Sequence, residues 1–220
     1  MNPVLRSSAA HVFVDSVESP VVGVDDEHHL FRVMRLRDGE TVTVSDGLGR
    51  WRATTVASGG LVPSGDVQVG EEPPVCTVAT AIPKGDRLDW MVQKLTEVGV
   101  HEIVLVQFDR SVVRWDERKA AQQMARLRRI AREAAMQSRR TVVPILIGPV
   151  PASDVLTRPD AVLADPSGDH GPLGSCVVIG PEGGFSPDEW ELCPRRVCLG
   201  GTVLRVETAA LVAAVRSLAG

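Results

Sequence analysis

Two glycine-bearing segments of one plan lie near the end of the chain, VVIGPEGGFSPDEW from Val177 and LGGTVLRVETAALVAA from Leu199. Each opens as a short apolar run, residues 177–179 and 197–199, that breaks into glycines. Glycine lets another molecule approach the backbone closely and leaves N–H and C=O groups exposed to read it. Two such loops leaving neighbouring strands form the rim of an α/β sheet, where a nucleotide-like ligand binds. The first loop, Gly180-Pro181-Glu182-Gly183-Gly184, runs into Ser186-Pro187-Asp188-Glu189, which has the pattern of a capping box with proline in the first turn. That electropositive helix end suits a carboxylate or phosphate. The loop has neither the Lys-Ser/Thr pair of a Walker A motif nor a GxGxxG pattern, so neither an ordinary P-loop nor a dinucleotide site is expected. In the second segment Arg205, Glu207 and Thr208 open a helix rich in Ala209, Ala210, Ala213 and Ala214. From these residues alone, the first loop reads equally as a tight turn. The second reads equally as a packed core helix with an ion pair at its start.

The rest of the chain divides in two by periodicity. Residues 10–70 hold short alternating runs, HVFVD, TVTVS, WRATTVAS and DVQVG, with Asp38-Gly39, Asp46-Gly47 and Gly59-Gly60 as turn signals. This is the pattern of a small β-sheet or barrel. One amphipathic stretch interrupts it and places Leu30, Val33, Met34 and Leu36 inward, with Arg32, Arg35 and Arg37 outward. Glu71-Glu72-Pro73-Pro74 reads as a linker, which divides the chain into domains at 1–72 and 73–220. Beyond it, strands are expected at 75–82, 102–107, 142–147, 161–164, 176–180 and 196–199. Helices are expected at 86–98, ended by Gly99, and at 116–138. Leu88, Val92, Leu95 and Val98 share one face of the first of these helices. Strands alternating with helices imply an α/β domain with a mostly parallel sheet, covered on both faces.

The net charge of −4 over 220 residues argues against wholesale coating of nucleic acid. Between Arg110 and Arg140, however, ten Lys/Arg stand against three Asp/Glu, an island able to hold phosphates. No apolar stretch reaches the roughly 20 residues that span a bilayer, and the N-terminal residues lack the apolar core of a signal peptide. The four cysteines show no CxxC spacing, so buried, reduced thiols and no metal site are expected.

Taken in order, HHLFRVMRLRDGE, SDGLGR, KGDRLDWMVQKLTEVGV, RSVV, REAAMQSRRTVVP, IGPEGGFSPDE and LGGTVLRVETAAL resemble the bacterial 16S ribosomal RNA methyltransferases that modify N3 of a uridine, within the SPOUT superfamily. Thr202, where the family usually has a large residue, and Met136 before Gln137-Ser138 depart from its pattern. The resemblance implies a PUA-like β-barrel over the first 72 residues and a trefoil-knotted methyltransferase domain after it. It implies S-adenosylmethionine as cofactor, 16S ribosomal RNA of the small subunit as partner, a homodimer and a cytoplasmic location. Leu163, Gly180, Pro181, Glu182, Gly183, Leu199, Gly200, Val203, Leu204 and Ala209 are the expected cofactor contacts. Arg205 and Glu207 are the expected catalytic pair. Arg32, Arg35, Arg37, Arg110, Arg114, Arg139 and Arg140 are the expected RNA contacts. A SPOUT enzyme acting on a ribose 2′-hydroxyl, and a ribosome-binding module that has lost catalysis, are the alternatives.

Overall fold

The computed structural model describes residues 2–72 and 74–219, so Pro73 of the expected linker lies outside the described residues. The chain forms two compact units, residues 1–72 joined by Arg132–Val143, and residues 73–131 joined by 144–220. The first unit thus takes in a segment from the middle of the chain in addition to what a cut after residue 72 gives it.

In chain order the first unit contains α1 (Pro3–Ser7), β1 (Ala10–Phe13), α2 (Val24–His28), a π-helical turn (His29–Val33), β2 (Thr41–Ser45), β3 (Arg50–Ala57), β4 (Gly60–Pro63) and β5 (Gln68–Val69). Its sheet runs β1-β2-β3-β4, with β5 also on β3. The pairs are antiparallel apart from the parallel pair β1–β2. The alternating runs supply its core, with Val12, Val42, Val44 and Val56 buried around Leu30. The amphipathic stretch departs from expectation. Leu30 is fully buried, but Val33 and Met34 are 59% and 41% exposed. The wider π turn, closed by Met34 N–H to the His29 carbonyl at 2.9 Å, changes the phase of the helix. Phe31 packs on the core in place of Val33 and Met34, Leu36 packs there as expected, and Arg32, Arg35 and Arg37 are exposed.

The second unit contains β6 (Thr77–Ala81), α3 (Arg87–Val98), β7 (Glu102–Gln107), the long α4 (Glu117–Gln137), β8 (Ile145–Pro151), α5 (Ser153–Leu156), β9 (Ala161–Asp169), β10 (Cys176–Ile179), α6 (Pro187–Leu192), β11 (Arg196–Val197) and α7 (Val206–Ala219). The last turns of α4, from Arg132 on, belong to the first unit. All six strands are parallel, in the order β11-β9-β10-β6-β7-β8. Every residue of β6 and β10 is buried, as it must be when layers cover both faces of a sheet. Aliphatic side chains fill this core, and Ala209, Ala210, Ala213 and Ala214 of α7 are buried where it packs on α3, β6 and β10. Small side chains let the helix approach that close. In α3, Leu88, Met91, Val92 and Leu95 are buried, but Val98 is 37% exposed. Thr96 takes the buried place in the last turns, its hydroxyl bonded to the Val92 carbonyl at 2.8 Å. Gly99 ends the helix at φ 111°, a conformation that glycine adopts without strain.

Two strands are displaced from their expected places. Residues 142–143 lie in the first unit, where Val143 N–H bonds the Gly47 carbonyl at 3.0 Å and Val142 bridges Leu48. Pro144 intervenes, and β8 begins only at Ile145. The strand expected at 196–199 is cut to two residues, because Arg196 pairs with Leu163 but Val197 pairs with Asp169. Residues 164–168 are skipped between those two pairs, while Ala164 stays paired with Ile179 of β10. All four cysteines are free and buried. Among the described residues no helix is long and apolar enough to cross a membrane, and no His/Cys/Asp/Glu group has the makings of a metal site.

Candidate active site

The register shift between β9 and β11 borders a cavity. Ala164, Asp165 and Pro166 form one side of a cavity of about 370 Å³ at the C-terminal rim of the sheet. The first glycine loop forms the next side through Ile179, Gly180, Pro181, Glu182, Gly184 and Phe185. The second segment closes it with Leu199, Gly200 and the run from Thr202 to Val206, together with Ala209 from α7. Such a volume lies within the ~300–1,000 Å³ of small-molecule sites.

Of the expected cofactor contacts, Gly180, Pro181, Glu182, Leu199, Gly200, Val203, Leu204 and Ala209 line this cavity, and so does Arg205. Leu163 and Gly183 do not. Leu163 is fully buried within β9, and it is its neighbour Ala164 that faces the cavity. Gly183 turns toward Arg110, whose Cβ lies 3.3 Å from the position that a Cβ on Gly183 would take. The sequence reading missed Asp165, Pro166 and Phe185. The first two follow the register shift of β9, and Phe185 lies between the glycine loop and the Ser186 cap.

The two walls differ in construction. In the first, Ser186 Oγ accepts from Glu189 N–H at 3.3 Å while the Glu189 carboxylate accepts from Ser186 N–H at 2.8 Å, completing the capping box. The other oxygen of that buried carboxylate accepts from Asp109 N–H at 2.8 Å. Phe185 stacks edge-on between Phe108 and Trp190, with ring centroids 5.5 and 5.0 Å away. A Cβ on Gly180 would stand 2.7 Å from that ring, so only glycine fits there. In the second wall, residues 201–204 make no backbone hydrogen bond among the described residues. Their free N–H and C=O groups are available to a ligand's polar edge. A Cβ on Gly200 would meet no protein atom within 4 Å.

Arg205 is exposed and takes part in none of the ion pairs among the described residues. Glu207 pairs instead with Arg87 of α3, Nε to Oε1 at 3.7 Å. Its Oε2 is buried without a hydrogen-bond partner. Glu207 does not line the cavity; it follows Val206, which does.

The expected RNA contacts fall into two groups. Arg32, Arg35, Arg37, Arg110 and Arg114 are exposed. Arg114 donates to the Asp109 carbonyl at 2.9 Å. Arg139 and Arg140 are tied inward within the first unit. The Arg139 guanidinium donates to the Ser8 and Ala9 carbonyls at 3.0 and 3.2 Å. Burial pushes the Arg140 guanidinium down to about 10, and its carbonyl lies 3.0 Å from His11 Nε2. His11, also 2.8 Å from Thr43 Oγ1, is pushed by burial from 6.5 to about 4, with the Arg139 charge adding to the effect.

A family model described as an RNA methyltransferase domain matches residues 71–217, and one described as an RNA methyltransferase PUA domain matches residues 23–60. The chain belongs to this RNA methyltransferase family. Family members named ribosomal RNA small subunit methyltransferase E include a Bacillus subtilis protein, 33% identical over 89% of each chain. One from Mycobacterium tuberculosis is 31% identical over 88% of this chain and 83% of its own. Among solved structures, a probable rRNA-methyltransferase from Porphyromonas gingivalis superposes with a TM-score of 0.75 at 29% identity, over 93% of this chain and 95% of its own. A putative methyltransferase from Legionella pneumophila, in complex with bound S-adenosylmethionine, also gives 0.75, at 26% identity over 93% and 94%.

Proposed function

We propose that this protein uses S-adenosylmethionine to methylate N3 of a uridine in the RNA of the small ribosomal subunit. The observation that carries the reading is one cavity walled by both glycine segments, in a chain whose relatives are named for methylating small-subunit ribosomal RNA. The lining fits the cofactor. Apolar Ile179, Leu199, Val203, Leu204 and Ala209 suit a purine face, and the unpaired backbone of residues 201–204 suits its polar edge. Bound there, S-adenosylmethionine supplies an electrophilic methyl group on a sulfonium centre.

The remaining chemistry falls to the chain. Uracil N3 carries a proton, and removing it leaves an anion spread over the two flanking carbonyl oxygens. Arg205, exposed at the cavity mouth, supplies a guanidinium to stabilise that charge. Glu207, which lies off the cavity lining and whose Oε2 accepts no hydrogen bond, is the proposed acceptor of the ring proton through one bridging water. A second reading has its own observation. The 3.7 Å contact with Arg87 makes Glu207 a structural tie between α3 and α7, with solvent taking the proton. Turnover of Arg205→Ala and Glu207→Gln at saturating cofactor decides between them. The catalytic reading expects losses of roughly a hundredfold or more, and near-normal turnover in both removes the pair from catalysis.

The target base must leave its stack to reach the cavity. The exposed arginines at 32, 35, 37 and 114, with the basic face of α4, are proposed to hold the flanking phosphates. A PUA-like barrel, a trefoil knot, a homodimer with the site near its interface, and a cytoplasmic location with the ribosome complete the proposal. Mass-spectrometric mapping of 16S RNA from a strain lacking the protein tests the whole. One base-methylated uridine should disappear and return on treatment of the subunits with protein and S-adenosylmethionine. An unchanged pattern overturns the proposal, and loss of a ribose methyl instead supports the 2′-hydroxyl alternative.

A further inference from the structure

The loop after β7 grips the first cavity wall at several points. Phe108 lies edge-on to Phe185. Asp109 N–H donates to Glu189 Oε1 at 2.8 Å, and Asp109 Oδ2 accepts from Ser186 Oγ at 2.6 Å. Arg110 Nη1 donates to the Gly183 carbonyl at 3.1 Å, and its Cβ packs on the Gly183 backbone. The gripping loop is itself fixed. Phe108 N–H donates to Ser111 Oγ at 3.0 Å, Ser111 N–H returns to the Phe108 carbonyl at 3.1 Å, and Arg114 closes on the Asp109 carbonyl.

The wall needs this support. Gly183 and Gly184 give it no side chains, Gly184 sits at φ 70°, and its own internal bond is Gly184 N–H to the Pro181 carbonyl at 2.9 Å. A glycine turn with so little of its own packing is held in one shape only by outside groups. Arg110 is placed for that. A guanidinium presents donors in a rigid fork, so one committed to a carbonyl fixes the position of that carbonyl.

We propose that Arg110, backed by Asp109, is a positioning residue for the cofactor wall rather than a phosphate contact. It acts through Gly183, which does not line the cavity, on Pro181, Glu182 and Gly184, which do. The inference rests on the reading of this cavity as the S-adenosylmethionine site.

Two measurements on the full-length protein separate the roles. Calorimetry with S-adenosylmethionine reads the wall, and the salt dependence of binding to small-subunit RNA counts phosphate contacts. Arg110→Ala is expected to weaken cofactor binding about tenfold, a share of one charge-assisted hydrogen bond. It should leave the salt slope and the melting temperature unchanged. Arg110→Lys, which keeps one donor, should recover part of the affinity, and Asp109→Ala should weaken cofactor binding in the same direction. Unaltered cofactor affinity in Arg110→Ala overturns the proposal. If the salt slope then falls by about 1, Arg110 is a phosphate contact. Failure of the wild-type protein to bind S-adenosylmethionine overturns the reading of the cavity itself, before any variant is compared.

Discussion

The two glycine loops face each other across one cavity yet are built in opposite ways. The wall from Gly180 to Phe185 is braced by a capping box, a buried carboxylate, a trio of aromatic rings and the loop after β7. Residues 201–204 have no backbone hydrogen bonds among the described residues, and Val203 is 90% exposed. The difference teaches that a glycine serves two purposes in one site. At Gly180 a ring already occupies the space a side chain would need; beside Gly200 the space is open. A braced wall supplies fixed shape, and an unbraced one supplies free polar groups.

The strongest way to break this comparison is Gly180→Val. Its side chain would collide with Phe185, which is 4% exposed and has nowhere to retreat. A loss of about 3 kcal/mol or more is expected in denaturant unfolding. An unchanged midpoint would show the brace to be soft. A titration within the first unit supplies the control. His11 binds its proton only near pH 4 when folded but near 6.5 when unfolded. Its contribution is therefore complete above pH 6.5 and is lost as pH falls toward 4, by up to about 3 kcal/mol. Cofactor affinity extrapolated to the folded fraction should not follow that curve, and His11→Gln should flatten it.

Glu189→Gln comes next. It weakens the cap and the bond from Asp109 together, for about 1–3 kcal/mol of stability, with a parallel loss of cofactor affinity. Gly200→Val is expected to have the smallest effect on stability, within about 0.5 kcal/mol, because its Cβ meets no protein atom. In calorimetry it should nevertheless lose most of the S-adenosylmethionine affinity. Equal thermal shifts for the valine variants at 180 and 200 would erase the distinction between the walls.

Much of this was legible in the chain. Ser186-Pro187-Asp188-Glu189 announces its own helix start, and Gly99 its own helix end, because both are local hydrogen-bonding solutions. The alternation of strands and helices gives the parallel sheet. Leu163 is fully buried and lies off the cavity lining, which its neighbour Ala164 joins. The skipped pairing of β11 precedes the lining residues Ala164–Pro166, and no local pattern records which ladder bonds a neighbour will omit. Val33 and Met34 were misplaced because a π turn has the same residues as an α turn and differs only in which carbonyl is chosen.

By itself, then, the sequence determined the elements, the caps and the pair of glycine turns, since these depend on residues within a few positions of one another. The tertiary structure alone decided that Arg87 rather than Arg205 meets Glu207, that Arg110 holds Gly183, and that Arg139 faces the Ser8 and Ala9 carbonyls. A long arginine side chain reaches several partners with similar propensity, and which one it finds depends on strands brought together from distant parts of the chain.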